Sequence, residues 1–540
     1  MKIQLAAKAP SLTAILLVPL SSRSFGMTAG DSVFQGTIMH KTFLITTIIF
    51  TILLSFPSGL DLSTFDNPLW LYASEIQFYE DNSECTTGVA SGAVTQDGRP
   101  LLWKNRDVGN ANQECHYVDD GRLPFISIAY AGVTVRYFAG VNTAGFGLEN
   151  SDAHNNGGHF CDLDGYLMAA ALATCRTVDD FEAFLDSTNE TNRIYAWNFG
   201  VIDAFGGAAM FEAGPTSYVR FDADETEDGF IIRSNFAFTG NQIEINHERG
   251  LHRYDRAYQL WKHAIDNDEL NPLFIFQQVA RDLSLPDVDP HPLPFDGYYG
   301  EYPYGCLPNY WAICRSTSRS VMVLKGVADG ENPDDSILWA MLGSPVAGIA
   351  TPLWVRAGSV PYEYDGEITS PICDRVAHIS NSVNVECIIE DRLRSAVDTW
   401  QLTNPECTGI QDFTLPIEEY IFNKTERFLA SPQFTYERLE AFQNEATQDI
   451  LDSLLTWRPT YSVTERFEAI YEDNNVILIW DEADNERFRQ GAPRGYTIYR
   501  SNCPFREGDR GQQLAFVEDN RYVDRDAASG RAFYRVEVAF

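Results

Sequence analysis

The residues most able to do chemistry gather around one cysteine. In "NSECTTGVASGAVTQDGRPLLWKNRD", Cys85 stands without a Cys-x-x-Cys partner, followed by Thr and small residues and then by the cluster Lys104-Asn105-Arg106-Asp107. A thiol becomes a nucleophile only as its thiolate, so Cys85 needs a base. A papain-like pair would put the cysteine at a helix start inside a "CGSCW" pattern, which this chain lacks, whereas Cys85 opens a strand-like run. A second candidate centre is "HNNGGHFCD", in which His154, His159, Cys161 and Asp162 are all metal-ligating types, but their spacing matches no zinc pattern and the paired glycines indicate a turn. No metal and no cofactor is expected. The base that remains is the α-amino group of Cys85 itself. With an unperturbed pKa of about 7.7–8.0, it can take the thiol proton near neutral pH, provided the chain is cut between Glu84 and Cys85.

The elements that would position such a centre belong to an α+β domain. From Thr86 to Asp107, small and apolar residues surround a turn at "QDGR", predicting a β-hairpin. Strands are expected at "PFISIAYAG", "VTVRYFAGVN" and "FGLEN", then a helix over Tyr166–Leu185. A hairpin through Gly206-Gly207, strands at "SYVRFDA" and "FIIRSNFAF", helices at "HERGLHRYDRAYQLWKHAI" and "NPLFIFQQVARDL", and strands at "SRSVMVLKG" and "SILWAMLGSPV" follow. Strands, helices and strands in blocks, without strict β-α-β alternation, argue for layers rather than a doubly wound sheet. No GxGxxG or GxxxxGK[ST] follows a strand, so nucleotide binding has no support.

A resemblance carries the reading further. "CTTGVASGAVTQDGRPLLWKNRD" resembles the start of the N-terminal nucleophile (Ntn) hydrolases that use cysteine, in the group of penicillin acyltransferases, penicillin V acylases and bile-salt (choloylglycine) hydrolases. Asn105-Arg106-Asp107 fits that group's N-x-D triplet, "GVNTAGFGLEN" its turn with a later Asn at Asn150, "IIRSNFAF" its Asn-bearing strand at Asn235, and "CRSTSRSVMVL" its Arg strand at Arg319. The match spans about residues 85–360. It implies a four-layer αββα sandwich with Cys85 as nucleophile, Asp107 orienting the amine, Asn150 and Asn235 donating to an oxyanion, and Arg319 paired with Asp107. The bile-salt branch carries Arg where Lys104 stands, a departure that leaves the substrate-binding role of that position to Lys104, to Arg106 in compensation, or to a different pocket. The implied reaction is cleavage or transfer at a linear amide of a small N-acyl compound.

Around this centre we expect an upstream extension over residues 1–38, a signal peptide over 39–59 whose apolar run "TFLITTIIFTILLSF" is shorter than the roughly 20 residues of a spanning helix, and a propeptide over 60–84. Secretion is expected, with an uncleaved anchor as the alternative. The Ntn domain would occupy 85–385, a helical extension 386–458, and a β-sandwich 459–540 whose Trp480, Tyr499 and Tyr534 resemble fibronectin type III core aromatics. Ten cysteines invite disulfides, with Cys306/Cys314 and Cys373/Cys387 near enough in sequence to close short loops. Against 76 Asp+Glu the chain has 40 Lys+Arg, a formal charge of −36 that repels phosphate backbones, so nucleic acid is not an expected partner. A small-molecule amide is, and the sandwich leaves room for an extracellular ligand. The competing expectation is a secreted binding or adhesion protein on an inactive hydrolase scaffold.

Overall fold

The predicted hairpin lies inside one antiparallel sheet, and a second antiparallel sheet packs against it. The computed structural model describes residues 84–161, 163–286, 288–389, 392–405, 407–457, 467–472, 475–480, 495–501, 512–517, 521–525 and 533–539. The expected extension, signal peptide and most of the propeptide lie outside these residues, and so does Asp162. Among the described residues no helix is long and apolar enough to cross a membrane.

Strand β1 (Glu84–Ala90) turns into β2 (Leu101–Asp107), and β3 (Gln113–Val118), β4 (Phe125–Tyr130), β5 (Ala139–Asn142) and β6 (Gly147–Asp152) follow. After helices α1 (Asp164–Thr174) and α2 (Val178–Asn189) come β7 (Trp197–Ile202), β8 (Ala208–Ala213), β9 (Tyr218–Asp222) and β10 (Phe230–Arg233). Helix α3 (Leu251–Asp266) precedes β11 (Cys306–Pro308), β12 (Ser318–Lys325), β13 (Ile337–Leu342) and β14 (Thr351–Leu353). One sheet runs β10-β1-β2-β12-β13-β14; the other is the meander β3 to β9.

Alternation along the strands builds the layers. In β8, Ala208 and Met210 enter the core shared with the first sheet, whereas Ala209 and Phe211 enter a second core under α1 and α2. Both faces are covered, which is why "AAMFEA" reads as an unbroken apolar run with a single acid. On the far side of the first sheet, Trp261 of α3 packs on Trp103 and Phe230 at 5.9 and 5.8 Å between ring centroids. Gly88 permits this approach, since a Cβ there would lie 2.8 Å from Trp261. The resulting order is helix, sheet, sheet, helix.

Three expectations change. The helix predicted over Tyr166–Leu185 is two helices, because Thr177 interrupts it with a capping box: its hydroxyl accepts from Asp180 N at 3.0 Å and Asp180 accepts from Thr177 N at 3.2 Å. The segment from Glu386 does not begin a helical extension. After α4 (Pro371–Val383), the alternating residues of "NVECII" and "RLRSAVD" pair as β15 (Asn384–Ile389) and β16 (Arg392–Asp398), with β11 on the outer edge of β16. Nor do the cysteines at 306/314 and 373/387 cross-link: Cys373 Sγ lies 3.3 Å from the Ala111 carbonyl and Cys387 Sγ 3.6 Å from that of Arg394.

Helices α5 (Ile410–Leu429) and α6 (Leu439–Thr456) belong to the main core. Phe422 stacks on Trp339 of β13 at 3.6 Å, and Glu418 is buried against Arg281 at 2.8 and 3.1 Å while accepting from Ala350 N at 3.0 Å. The C-terminal strands β17 (Phe467–Glu472), β18 (Asn475–Trp480), β19 (Gly495–Ser501), β20 (Gln512–Val517), β21 (Arg521–Asp524) and β22 (Phe533–Ala539) form two three-stranded antiparallel sheets, β17-β18-β21 and β20-β19-β22. Leu478, Tyr496 and Ile498 make their common core; the side chains of Trp480, Tyr499 and Tyr534 lie outside the described residues.

Removing one partner of a buried ion pair leaves an uncompensated charge, so Glu418→Ala is expected to cost about 3–5 kcal/mol in denaturant unfolding, and joint replacement of Arg281 and Glu418 by apolar residues to cost clearly less.

Candidate functional site

The centre forms where β1 and β2 begin and end. Their register sets Glu84 opposite Asp107, Cys85 opposite Arg106, and Thr87 opposite Lys104. Side chains at opposed positions share a face. Cys85, Thr87, Lys104 and Arg106 therefore point into the space between the sheets, and Glu84, Thr86, Asn105 and Asp107 point toward α3.

On the inner face Lys104, Asn150 and Arg106 are committed to one another or to neighbours. Lys104 Nζ crosses to β6 and donates to the backbone oxygen and Oδ1 of Asn150 at 2.5 and 2.6 Å, and Asn150 Nδ2 donates to Asp164 at 2.7 Å. Arg106 donates to Gln113 at 2.8 Å and lies over the rings of Phe138 and Tyr130. Beside Asn150 is a carboxyl that sequence reasoning missed. Glu149 is fully buried, and Gly200 makes its room, for a Cβ at that glycine would lie 2.2 Å from Glu149 Oε1. Neither of its oxygens makes a well-formed hydrogen bond. Burial pushes it up to about 8, against the opposing pull of Lys104, the Gly200 N–H and the Thr87 hydroxyl.

The outer face holds Glu84, Asp107, Arg253 and Arg315. Cys85 N donates to Asn235 Oδ1 at 2.8 Å. Arg253, in the first turn of α3, donates to the Cys85 carbonyl at 2.6 Å, to Thr86 Oγ1 at 3.0 Å, to Asn235 Oδ1 at 2.9 Å and to Glu84 at 2.7 Å. Arg315 donates to the same Glu84 oxygen. Asp107 Oδ1 accepts from Ser318 on the neighbouring strand at 2.5 Å. Its Oδ2 lies 3.9 Å from Arg253 and accepts no hydrogen bond, although it is buried. Burial raises Asp107 to about 6, opposed by Arg315, Arg253 and the Ser318 hydroxyl. The Cys85 thiol is pushed up to about 11, again by burial, with Lys104 and Arg106 pulling it down and Asp107 and Asp152 reinforcing the rise.

The structure thus brings Cys85, Asp107, Asn235, Asn150, Lys104 and Arg106 to one end of the hairpin. It also places several of their groups otherwise than expected. The cations facing Asp107 are Arg253 and Arg315; Arg319 occupies the bulge between Ser318 and Ser320 and its charge is felt at Cys373. Asn235 lies two residues beyond the end of β10 and turns its oxygen, not its amide N–H, toward Cys85, while its Nδ2 lies 3.3 Å from the Asp152 carbonyl. Arg253 had a signal in the sequence: with Ala257, Trp261 and Ala264 it forms the buried stripe of α3, an unusual place for a guanidinium. Arg315 stands in "CRSTSR", four residues before Arg319.

The "HNNGGHFCD" loop is tied otherwise, with His154 Nδ1 2.5 Å from the Tyr195 hydroxyl and burial lowering its pKa to about 4. Among the described residues the group with metal-ligand proximity is Glu114, His116 and Asp365, within 4.8 Å, of which Glu114 and His116 already pair with each other at 2.9 Å.

No family model and no curated protein matches the chain. Solved structures that resemble it include a mutant and a variant of conjugated bile acid hydrolase from Clostridium perfringens and penicillin V acylase from Agrobacterium tumefaciens. The mutant matches at 12% identity and a TM-score of 0.32 over 50% of this chain and 92% of its own; the variant at 12% and 0.29 over 48% and 89%. The acylase matches at 12% and 0.31 over 50% and 86%.

Glu149 offers a test of the inner face. Folding raises its pKa from 4.5 to about 8, so the folded chain holds a proton there that the unfolded chain has lost. Its contribution to stability therefore falls as pH rises from about 4.5 to about 8. Melting temperature should drop more between pH 5 and pH 9 in the wild-type chain than in Glu149→Gln; equal slopes would remove the assignment.

Proposed function

We propose that the chain is a self-processing Ntn cysteine hydrolase or acyltransferase that acts on linear amide C–N bonds of small N-acyl compounds. In the precursor, the Cys85 sulfur attacks the Glu84 carbonyl carbon. The C–N bond to Cys85 breaks, the nitrogen takes the thiol proton, and water hydrolyses the resulting thioester to release the Glu84 carboxylate and restore the thiol. The observation that carries this reading is the hydrogen bond from Cys85 N to Asn235 Oδ1 at 2.8 Å beside an Asp107 whose buried Oδ2 has no donor. An amine formed at that nitrogen gains N–H donors, and acceptors for them are already in place.

In the mature protein the same amine is the base for the Cys85 thiol. Lys104 and Arg106 favour the thiolate through their charge, and Asp107 with Asn235 orients the amine. Turnover forms a thioester on Cys85 with the substrate's acyl group, releases the substrate amine with the transferred proton, and ends with attack by water or an acceptor amine. Asn150 and Asn235 serve the oxyanion only after their amide groups leave the partners they hold in the precursor. Entry into a secretion route through residues 39–59 and removal of 60–84 complete the proposal.

Cys85→Ala should abolish both self-cleavage and amide hydrolysis. A Cys85→Ala chain that is still cut before residue 85 in purified form would show that another protease does the maturation.

A further inference from the structure

The precursor holds a carboxylate in a place it must later vacate. Glu84 Oε2 lies 2.7 Å from Arg253 Nη2 and accepts from Arg315 Nη1 as well, and the two arginine side chains are only 2% and 9% exposed. With Glu84 present, two cations face two carboxylates, Glu84 and Asp107. Loss of Glu84 leaves the two arginines with Asp107 alone. A buried guanidinium without its counter-ion is costly, so the mature site carries a vacancy for one negative group. Arg315 Nε is already without a hydrogen-bond partner.

Which group fills it follows from the chemistry of the two thioesters. Self-cleavage forms a thioester between the Cys85 sulfur and the Glu84 carbonyl; turnover forms a thioester between the same sulfur and the substrate's carbonyl. What is Glu84 in the first is the acyl group in the second. In glutamate three carbons separate the carbonyl carbon from the side-chain carboxylate carbon, the spacing of a glutaryl group.

We infer that Arg253 and Arg315 form a carboxylate subsite in the mature protein, and that its substrates are amides whose acyl part ends in a carboxylate about three carbons from the scissile carbonyl. The inference rests on the amidase reading above and adds the substrate class to it. Asp107 keeps Arg253 in place, and the planar guanidinium of Arg315, lying over the Tyr310 ring at 5.1 Å, supplies the second donor.

The test compares glutaryl and valeryl p-nitroanilides, equal in acyl length and different in the terminal carboxylate, with the mature chain. The expected result is a kcat/KM about tenfold or more higher for the glutaryl amide, mainly through KM, and collapse of that ratio toward one in Arg315→Gln with partial retention in Arg315→Lys. A ratio near one in the wild-type chain overturns the inference. Calorimetric binding of glutarate against valerate reads the subsite without catalysis. Tighter glutarate binding by about tenfold, lost in Arg315→Gln, supports the subsite even where neither amide is cleaved, an outcome that contradicts the amidase reading alone. Equal affinity of the two acids overturns the subsite whatever the turnover.

Discussion

Four charges at the mouth of one hairpin govern this molecule: Glu84 and Asp107 opposite each other on β1 and β2, and Arg253 and Arg315 reaching them from α3 and from the loop before β12. None can be buried alone. An isolated ion in a low-dielectric interior would neutralise or unfold its surroundings, so each charge fixes where the others must stand. Arg253 does this most directly, since a single guanidinium ties the Glu84 side chain, the Cys85 carbonyl, Thr86 and Asn235 together. The Glu84 side chain and the Cys85 carbonyl are thereby held by one guanidinium. Under the proposed cleavage, the loss of Glu84 would remove one of the two anions that face Arg253 and Arg315.

A second set of contacts holds the two sheets in register. Lys104 spans from β2 to Asn150 on β6, Asn150 continues to Asp164 at the start of α1, and the buried Glu149 lies beside them in the cleft that Gly200 leaves. An ammonium grips Asn150 through both a backbone and a side-chain oxygen as a compact charge with rotatable donors; a planar guanidinium would need a different arrangement. On the far side, α5 and α6 complete the core of the six-stranded sheet through the Trp339–Phe422 stack and the Arg281–Glu418 pair. The core of the six-stranded sheet thus extends past residue 385.

Much of this is legible in the sequence where a local rule decides. The hairpin before Asp107 follows from its turn residues, and the strands of the meander from their apolar composition. The capping box at Thr177 was there to be read, as Thr-x-x-Asp, but the apolar periodicity on either side outweighed it. The Asn384–Asp398 hairpin is harder, because it follows directly on a helix and its outer strand is completed by Cys306–Pro308 from far earlier in the chain. The site divides in the same way. Residues on β2 and β6 are fixed by strand alternation once the cysteine is placed. Arg315 and Arg319 differ by four positions at the end of an irregular loop, and a bulge at Arg319 resets the alternation, so spacing cannot say which one faces Asp107. Glu149 looks like any strand acid until Gly200, fifty residues on, is known to stand across from it.

On the proposed function, Cys85 becomes the first residue of the working protein. N-terminal sequencing with intact mass of the purified full-length chain, incubated without added protease, tests it most directly. The expected product is a chain that begins at Cys85, formed at a rate independent of protein concentration. A stable, folded chain that retains Glu84 joined to Cys85 would contradict it.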